Sequence, residues 1–136
     1  MGLAERRISK GFQENQYQGF LKEINEAVGK EVTVEVAWDT LKLEGMSHLY
    51  EKAWPLVYFQ PLVTALKSIC EDEMGKEAIA EELEKIVIKN EGGNSSANTW
   101  VSFADKTLIL DHKPTSNVNN EGDRAKSLQV LLENNL

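Results

Sequence analysis

Residues 85–113 constrain the fold more than any other stretch of the chain. Three strand patterns follow one another there, over residues 85–90, 99–103 and 107–113. Ile86, Val87, Ile88, Thr99, Val101, Thr107 and Ile109 are β-branched, which suits a pleated, half-buried surface. The cluster Gly92, Gly93, Asn94, Ser95, Ser96 punctuates the first two strands, and Ala104, Asp105 and Lys106 form a hairpin-length link between the second and third. Pro114 closes the third, because proline donates no ladder hydrogen bond.

Side chains alternate between the two faces of a strand. The simplest assembly turns Ile86, Ile88, Val101, Phe103, Leu108 and Leu110 towards covering helices. The opposite face then carries Val87, Lys89, Glu91, Trp100, Ser102, Ile109, Asp111 and Lys113, an amphipathic surface centred on a tryptophan.

The flanking sequence supplies the helices and a fourth strand. Ile8, Phe12, Phe20, Leu21, Ile24 and Val28 recur at helical spacing over residues 3–28, with Gly29 as the stop and Gly11 and Gly19 as weak points inside. Val32, Val34, Val36 and Trp38 alternate with polar residues and alanine, which predicts a strand over residues 30–38. Residues 47–70 read as helix interrupted at Pro55 or Pro61, since proline clashes with the preceding turn and restricts the residue before it. A short amphipathic helix over 76–84 and a last helix opening near Asn120 complete the pattern. Strands grouped apart from helices predict one α+β domain over residues 1–136. Its mainly antiparallel sheet of about four strands has helices packed on one face.

A chain of 136 residues holds one domain with its own core. Its net charge of −7, with lysine and arginine dispersed and outnumbered by acids, argues against a nucleic-acid partner, which needs clustered cations. No apolar run of membrane-spanning length and no secretory leader pattern is present, so the expectation is a cytoplasmic protein with no membrane partner. Gly2 lacks the downstream hydroxyl residue of a myristoylation motif, having Arg6 there, and without a leader Asn94-Ser95-Ser96 is not read as a glycosylation site. Cys70, the only cysteine, falls on an apolar helix side and reads as a buried structural thiol.

No nucleotide, metal or nucleophile motif occurs, so no cofactor and no metal are expected. His48 and Glu51 share a helix face at metal-ligand spacing, but a zinc site needs a third ligand and the only other histidine is His112. Asp111 and His112 are strand neighbours pointing to opposite faces, and His112 reads as a structural residue on the apolar side. Glu91 and Asp111 approach one another on the free face, where paired carboxylates suit acid–base chemistry but are more commonly just solvated. The glycine turn after Asn90 reads either as a loop needing positive φ or as a binding loop. Trp100 reads either as core or as the anchor of an interaction patch.

The segments Ala53-Trp54-Pro55, Val57-Tyr58-Phe59, Asn90-Glu91-Gly92-Gly93 and Leu110-Asp111-His112-Lys113-Pro114 resemble those of a family of small bacterial proteins of unknown function, over most of the length. That resemblance implies no activity and assigns no residue a role. Two functional classes follow from the residues themselves. The leading one is a non-enzymatic module that binds a protein partner, or itself as a homodimer, through the free sheet face around Trp100. The other is a small-molecule binder or hydrolase with a pocket between sheet and helices near Trp54, Tyr58, Glu91, Asp111 and His112.

Overall fold

A computed structural model describes residues 2–42, 45 and 47–136. The elements run α1 (Leu3–Glu14), α2 (Gln16–Val28), β1 (Thr33–Val36), α3 (Trp38–Leu41), a 3-10 turn (Ser47–Leu49), α4 (Tyr50–Trp54), a π-helical turn (Pro55–Phe59), α5 (Gln60–Ile69), α6 (Glu73–Glu82), β2 (Lys85–Lys89), β3 (Val101–Ala104), β4 (Thr107–Asp111) and α7 (Glu121–Asn135). The first helical stretch does break, though at neither glycine. Asn15 leaves helical geometry, and its Nδ2 bonds back to the Gly11 carbonyl at 2.8 Å. Gly29 ends α2 at a φ of 82°, a left-handed cap that a side chain resists. The strand expected over residues 30–38 is shorter, because Trp38 already opens α3.

The sheet has the order β1-β2-β4-β3. β1 pairs with β2 in parallel and β2 with β4 in parallel, and only β3 and β4 are antiparallel. The fold is α+β as expected, but the sheet is mixed and not mainly antiparallel. Two connections cause the difference. The helical residues between β1 and β2 form the crossover that parallel neighbours need. Residues 90–100 then carry the chain past the site of β4 to the sheet edge, so β3 returns by a tight turn at Asp105 and Lys106 (φ 52° and 61°) and slots β4 in beside β2.

The helices cover one face, as the alternation requires. Ile86, Ile88, Leu108 and Leu110 are buried beneath them, with Val101 and Phe103 half-buried at the β3 margin. On the opposite face Thr33, Glu35, Ser102 and Ala104 are exposed and Val87 and Ile109 are half-exposed. Lys85 pairs with Glu35 there at 3.1 Å and Lys89 with Glu91 at 3.0 Å. No helix among the described residues is long and apolar enough to cross a membrane.

The prolines do not break the central helix. Trp54, Pro55, Phe59 and Gln60 all keep right-handed helical angles, and α4, the π-turn and α5 run on as one rod. The wide turn explains how. The Gln60 N–H reaches back five residues to the Pro55 carbonyl, and Pro61 has no N–H to offer. The Leu56 carbonyl is thereby left without its usual helical donors. Arg124 of α7 fills the vacancy, its Nη2 donating to Leu56 O at 2.9 Å. The same guanidinium donates to Asn117 O at 2.7 Å and to Val118 O at 2.9 Å, and Arg124 is wholly buried. Burial lowers its pKa, and neighbouring Glu121, Tyr58 and Asp123 oppose that effect.

Each of these bonds comes from a charged donor to a part-buried carbonyl, and losing the donor costs about 1 kcal/mol or more for each carbonyl that water does not reach. Arg124→Met is therefore expected to cost about 3 kcal/mol in urea denaturation, and Arg124→Lys to recover less than half of it, since an ammonium cannot span three carbonyls. A loss below about 1 kcal/mol for the methionine variant would show that water re-satisfies the carbonyls.

Candidate functional site

Three of the six residues singled out in the sequence meet in the core at the C-terminal end of β4. The Tyr58 hydroxyl donates to the His112 carbonyl at 2.5 Å. The His112 Nδ1 faces the Lys113 carbonyl at 2.6 Å, so it carries the proton of the neutral ring. Trp100 meets that ring edge to face, with centroids 5.7 Å apart and planes at 89°. All three are buried, Trp100 with 1% of its surface exposed. Trp100 is therefore a core residue and contributes nothing to the free sheet face. The chain bends at Trp100 immediately before β3, and strand alternation does not extend across that bend.

Burial drives the titration of this group. It lowers the His112 pKa below the ordinary value and Arg124 lowers it further, while the carbonyls of Lys113 and Ser95 and the Asp111 charge act the other way. It raises Tyr58 well above the ordinary value, with Asp111 adding to the shift. A neutral histidine and a neutral tyrosine, each bonded to backbone, are a packing device. His112 Nε2, Trp100 Nε1 and Arg124 Nε make no hydrogen bond among the described residues.

The carboxylates are also committed to structure. Asp111 accepts from Glu91 N at 2.9 Å and from Gly92 N at 3.1 Å, so it organises the glycine turn. Asn94 Nδ2 donates to Asp111 O at 3.2 Å, and Gly93 has a φ of 67°. A Cβ on Gly92 would lie 3.1 Å from Asn94 Nδ2 and 3.4 Å from Asp111 Oδ2, so a larger residue there would push both side chains back by a few tenths of an ångström. Glu91 is exposed and points its carboxylate to Lys89 instead of Asp111. Trp54 belongs to a separate aromatic cluster, stacked on Tyr50 at 4.5 Å and edge-on to Phe12 at 5.2 Å. His48 and Glu51 are both exposed, and among the described residues no three His, Cys, Asp or Glu side chains could hold a metal ion together. Cys70 is half-buried, and burial raises its pKa, which leaves less thiolate to react.

What the sequence reading missed lies at the other edge of the sheet. A groove of about 740 Å³ runs between the Ser95–Asn98 loop, Val101 of β3, the loop containing Asn117, and one stripe of α7 formed by Ser127, Val130, Leu131 and Asn134. Val130 is 47% exposed in its wall. The walls are tied together: Asn117 Nδ2 donates to Ser95 O, and Arg124 holds the carbonyls of Asn117 and Val118. Two smaller surface cavities, of about 430 and 310 Å³, lie beside Trp38 and beside Met74. None of the three has any of the six sequence-selected residues in its wall. The sequence signal for the groove is two loops rich in asparagine and serine, over 94–98 and 116–120, which read as ordinary turns.

The groove lies beside an unpaired strand edge. Trp100 O accepts from Asp111 N at 2.8 Å. His112 N also donates to Lys89 O of β2, so along β4 the backbone groups of Leu108 and Leu110 face β2 and those of Thr107 and Ile109 face β3. Their register partners Ala104 and Ser102 therefore bond to β4, and the backbone groups of Val101 and Phe103 point outward. No side chain among the described residues bonds these outward groups.

No protein-family model matches the chain, no curated protein aligns significantly with it, and no solved structure resembles it significantly.

Because the folded His112 resists protonation, only the unfolded chain gains its proton as pH falls through about 6.5. Stability is therefore unaffected by this group above that pH and declines below it, until the folded ring titrates too. Thermal melts between pH 7.5 and 5 should show the decline in the wild type and a shallower one in His112→Gln. Equal slopes in the two would place the pH dependence elsewhere.

Proposed function

We propose that this protein is a non-enzymatic interaction module whose contact surface is the groove between β3 and α7. One observation carries the reading: a roomy groove with an exposed apolar residue lies beside free backbone donors and acceptors. The residues with chemical potential are occupied elsewhere, with Tyr58 and His112 bonded to backbone, Asp111 holding a turn and Glu91 paired with a lysine. The competing reading, a small-molecule binder or hydrolase, has less support, because none of the three cavities reaches Trp54, Tyr58, Glu91, Asp111 or His112. A cytoplasmic location belongs to the same proposal, resting on the acidic composition.

Self-association is a second form of this reading, favoured by the free sheet face. Val87 and Ile109 are cross-strand neighbours there, framed by the Lys85–Glu35 and Lys89–Glu91 pairs. Under a two-fold axis the same patch serves both chains and opposite charges meet. Sedimentation at high micromolar concentration is expected to give a dimer that Ile109→Lys dissociates; a wild-type monomer overturns the homodimer.

The groove is tested by selecting from a displayed library of random peptides on the immobilised protein. Sequences enriched on the wild type should lose at least tenfold in binding to Val130→Asp, a change at an exposed position that leaves the fold intact. No enrichment, or equal binding to the variant, would falsify the interaction reading at this site.

A further inference from the structure

We propose that the groove takes an extended peptide segment as an added strand on β3, and that the segment alternates apolar with basic residues. The inference rests on the interaction reading above and specifies its ligand.

The backbone geometry asks for a peptide. The outward N–H and C=O groups of Val101 and Phe103 are two residues apart on one strand, the spacing at which an extended chain presents its own complementary groups. β3 is protected as an edge by its shortness, at four residues, but it contains no proline, no lysine and no bulge. The partner's alternate side chains would lie over the α7 stripe beside Val130 and Leu131, where apolar groups gain most. The intervening side chains would emerge on the solvent side.

Charge selects the class of segment. The protein carries −7 overall, so basic segments are drawn to it and acidic ones repelled. The groove itself is almost neutral, with Asp123 and Lys126 the ionisable residues of its wall among the described residues. Basic side chains are therefore favoured at the solvent-facing positions and not at the buried ones.

A second copy of this chain fits less well. Two β3 strands paired edge to edge would share a ladder of four residues, about 13 Å long. That contact falls far short of the ~800 Å² per partner that a stable interface buries. A peptide can enter between strand and helix and use both walls, which a folded edge cannot.

The probe is acetyl-Lys-Val-Lys-Val-Lys-Val-amide, with its glutamate-for-lysine counterpart, added to the isotope-labelled full chain. Binding in the high micromolar to low millimolar range is expected, with at least tenfold slower hydrogen exchange at the Val101 and Phe103 amides. N-methylation separates the modes. In antiparallel addition the bonding residues are those facing α7, so methylating the valine nitrogens should weaken binding at least tenfold while methylating the lysine nitrogens changes it less than about twofold. In parallel addition the two sets exchange roles. Equal effects of the two methylation patterns, or unprotected Val101 and Phe103 amides, overturn strand addition. Equal or tighter binding of the glutamate peptide, or no binding of the lysine peptide at millimolar concentration, overturns the basic class. Library peptides that still depend on Val130 in any of these cases would leave the interaction module standing, so the two failures are distinguishable.

Discussion

The guanidinium of Arg124 is the contact on which the rest of the molecule depends. The central rod contains two prolines and accommodates them with one wide turn, which leaves the Leu56 carbonyl unserved inside the protein. An unserved buried carbonyl is costly, and no neutral side chain on α7 reaches three acceptors at once. Arginine does so with a planar fork whose donors point in different directions. The result couples the π-turn, distant in sequence, to α7 and to the loop through Asn117 and Val118 that precedes it. The structure has a fully buried charge with no ion-pair partner among the described residues, bonded to three peptide carbonyls and favoured at longer range by Glu121 and Asp123. Removing it costs more than the bonds themselves, because α7 and its preceding loop lose their registration on α5.

The aromatic residues divide the core into two regions with different tasks. Phe12, Tyr17, Trp38, Trp54 and Phe59 interlock where α1 and α2 meet the central rod, with ring centroids mostly 5–6 Å apart. Tyr58, Trp100 and His112 form the other region, beside the glycine turn that Asp111 organises. The two regions touch through Tyr58 and Phe59, neighbours in the π-turn with centroids 6.4 Å apart. The wide turn thus does more than tolerate proline. It presents consecutive aromatic residues to both regions.

Periodicity made the strands legible, and connection length hid their order. Alternation located β2 and β4 and sorted Ile86, Ile88, Leu108 and Leu110 correctly, because burial on one face imposes a strict period of two. Sequence neighbours are the default pairing, and the cluster over residues 92–96 reads as punctuation between paired strands, whereas the whole link from β2 to β3 is long enough to cross the place of β4. Pro55 and Pro61 were read as breaks because local sterics disfavour them in helices; a distant arginine reverses that preference, and no local window contains it. Trp100 was placed by extending the alternation of β3 one residue too far, into the bend that precedes the strand. Among the site residues, the chemistry-bearing types drew attention, whereas the groove is built mostly from asparagine, serine and one exposed valine. Such residues carry no signal until the fold brings their loops together.

The same network that stabilises the core also shapes the groove. Its walls come from two loops and a helix that share no regular hydrogen bonds, and loops of this composition would ordinarily sample many conformations. Here the Asn117 amide joins one loop to the other at Ser95, and Arg124 fixes the Asn117 and Val118 carbonyls from inside. A groove held in one shape before a ligand arrives spares that ligand the cost of ordering it. The edge strand is equally fixed, since the Trp100 carbonyl and Trp100 side chain anchor the start of β3 to β4 and to the core. A rigid strand edge beside a rigid helix stripe is a template, and the buried groups around Arg124, Trp100 and His112 are what keep it so.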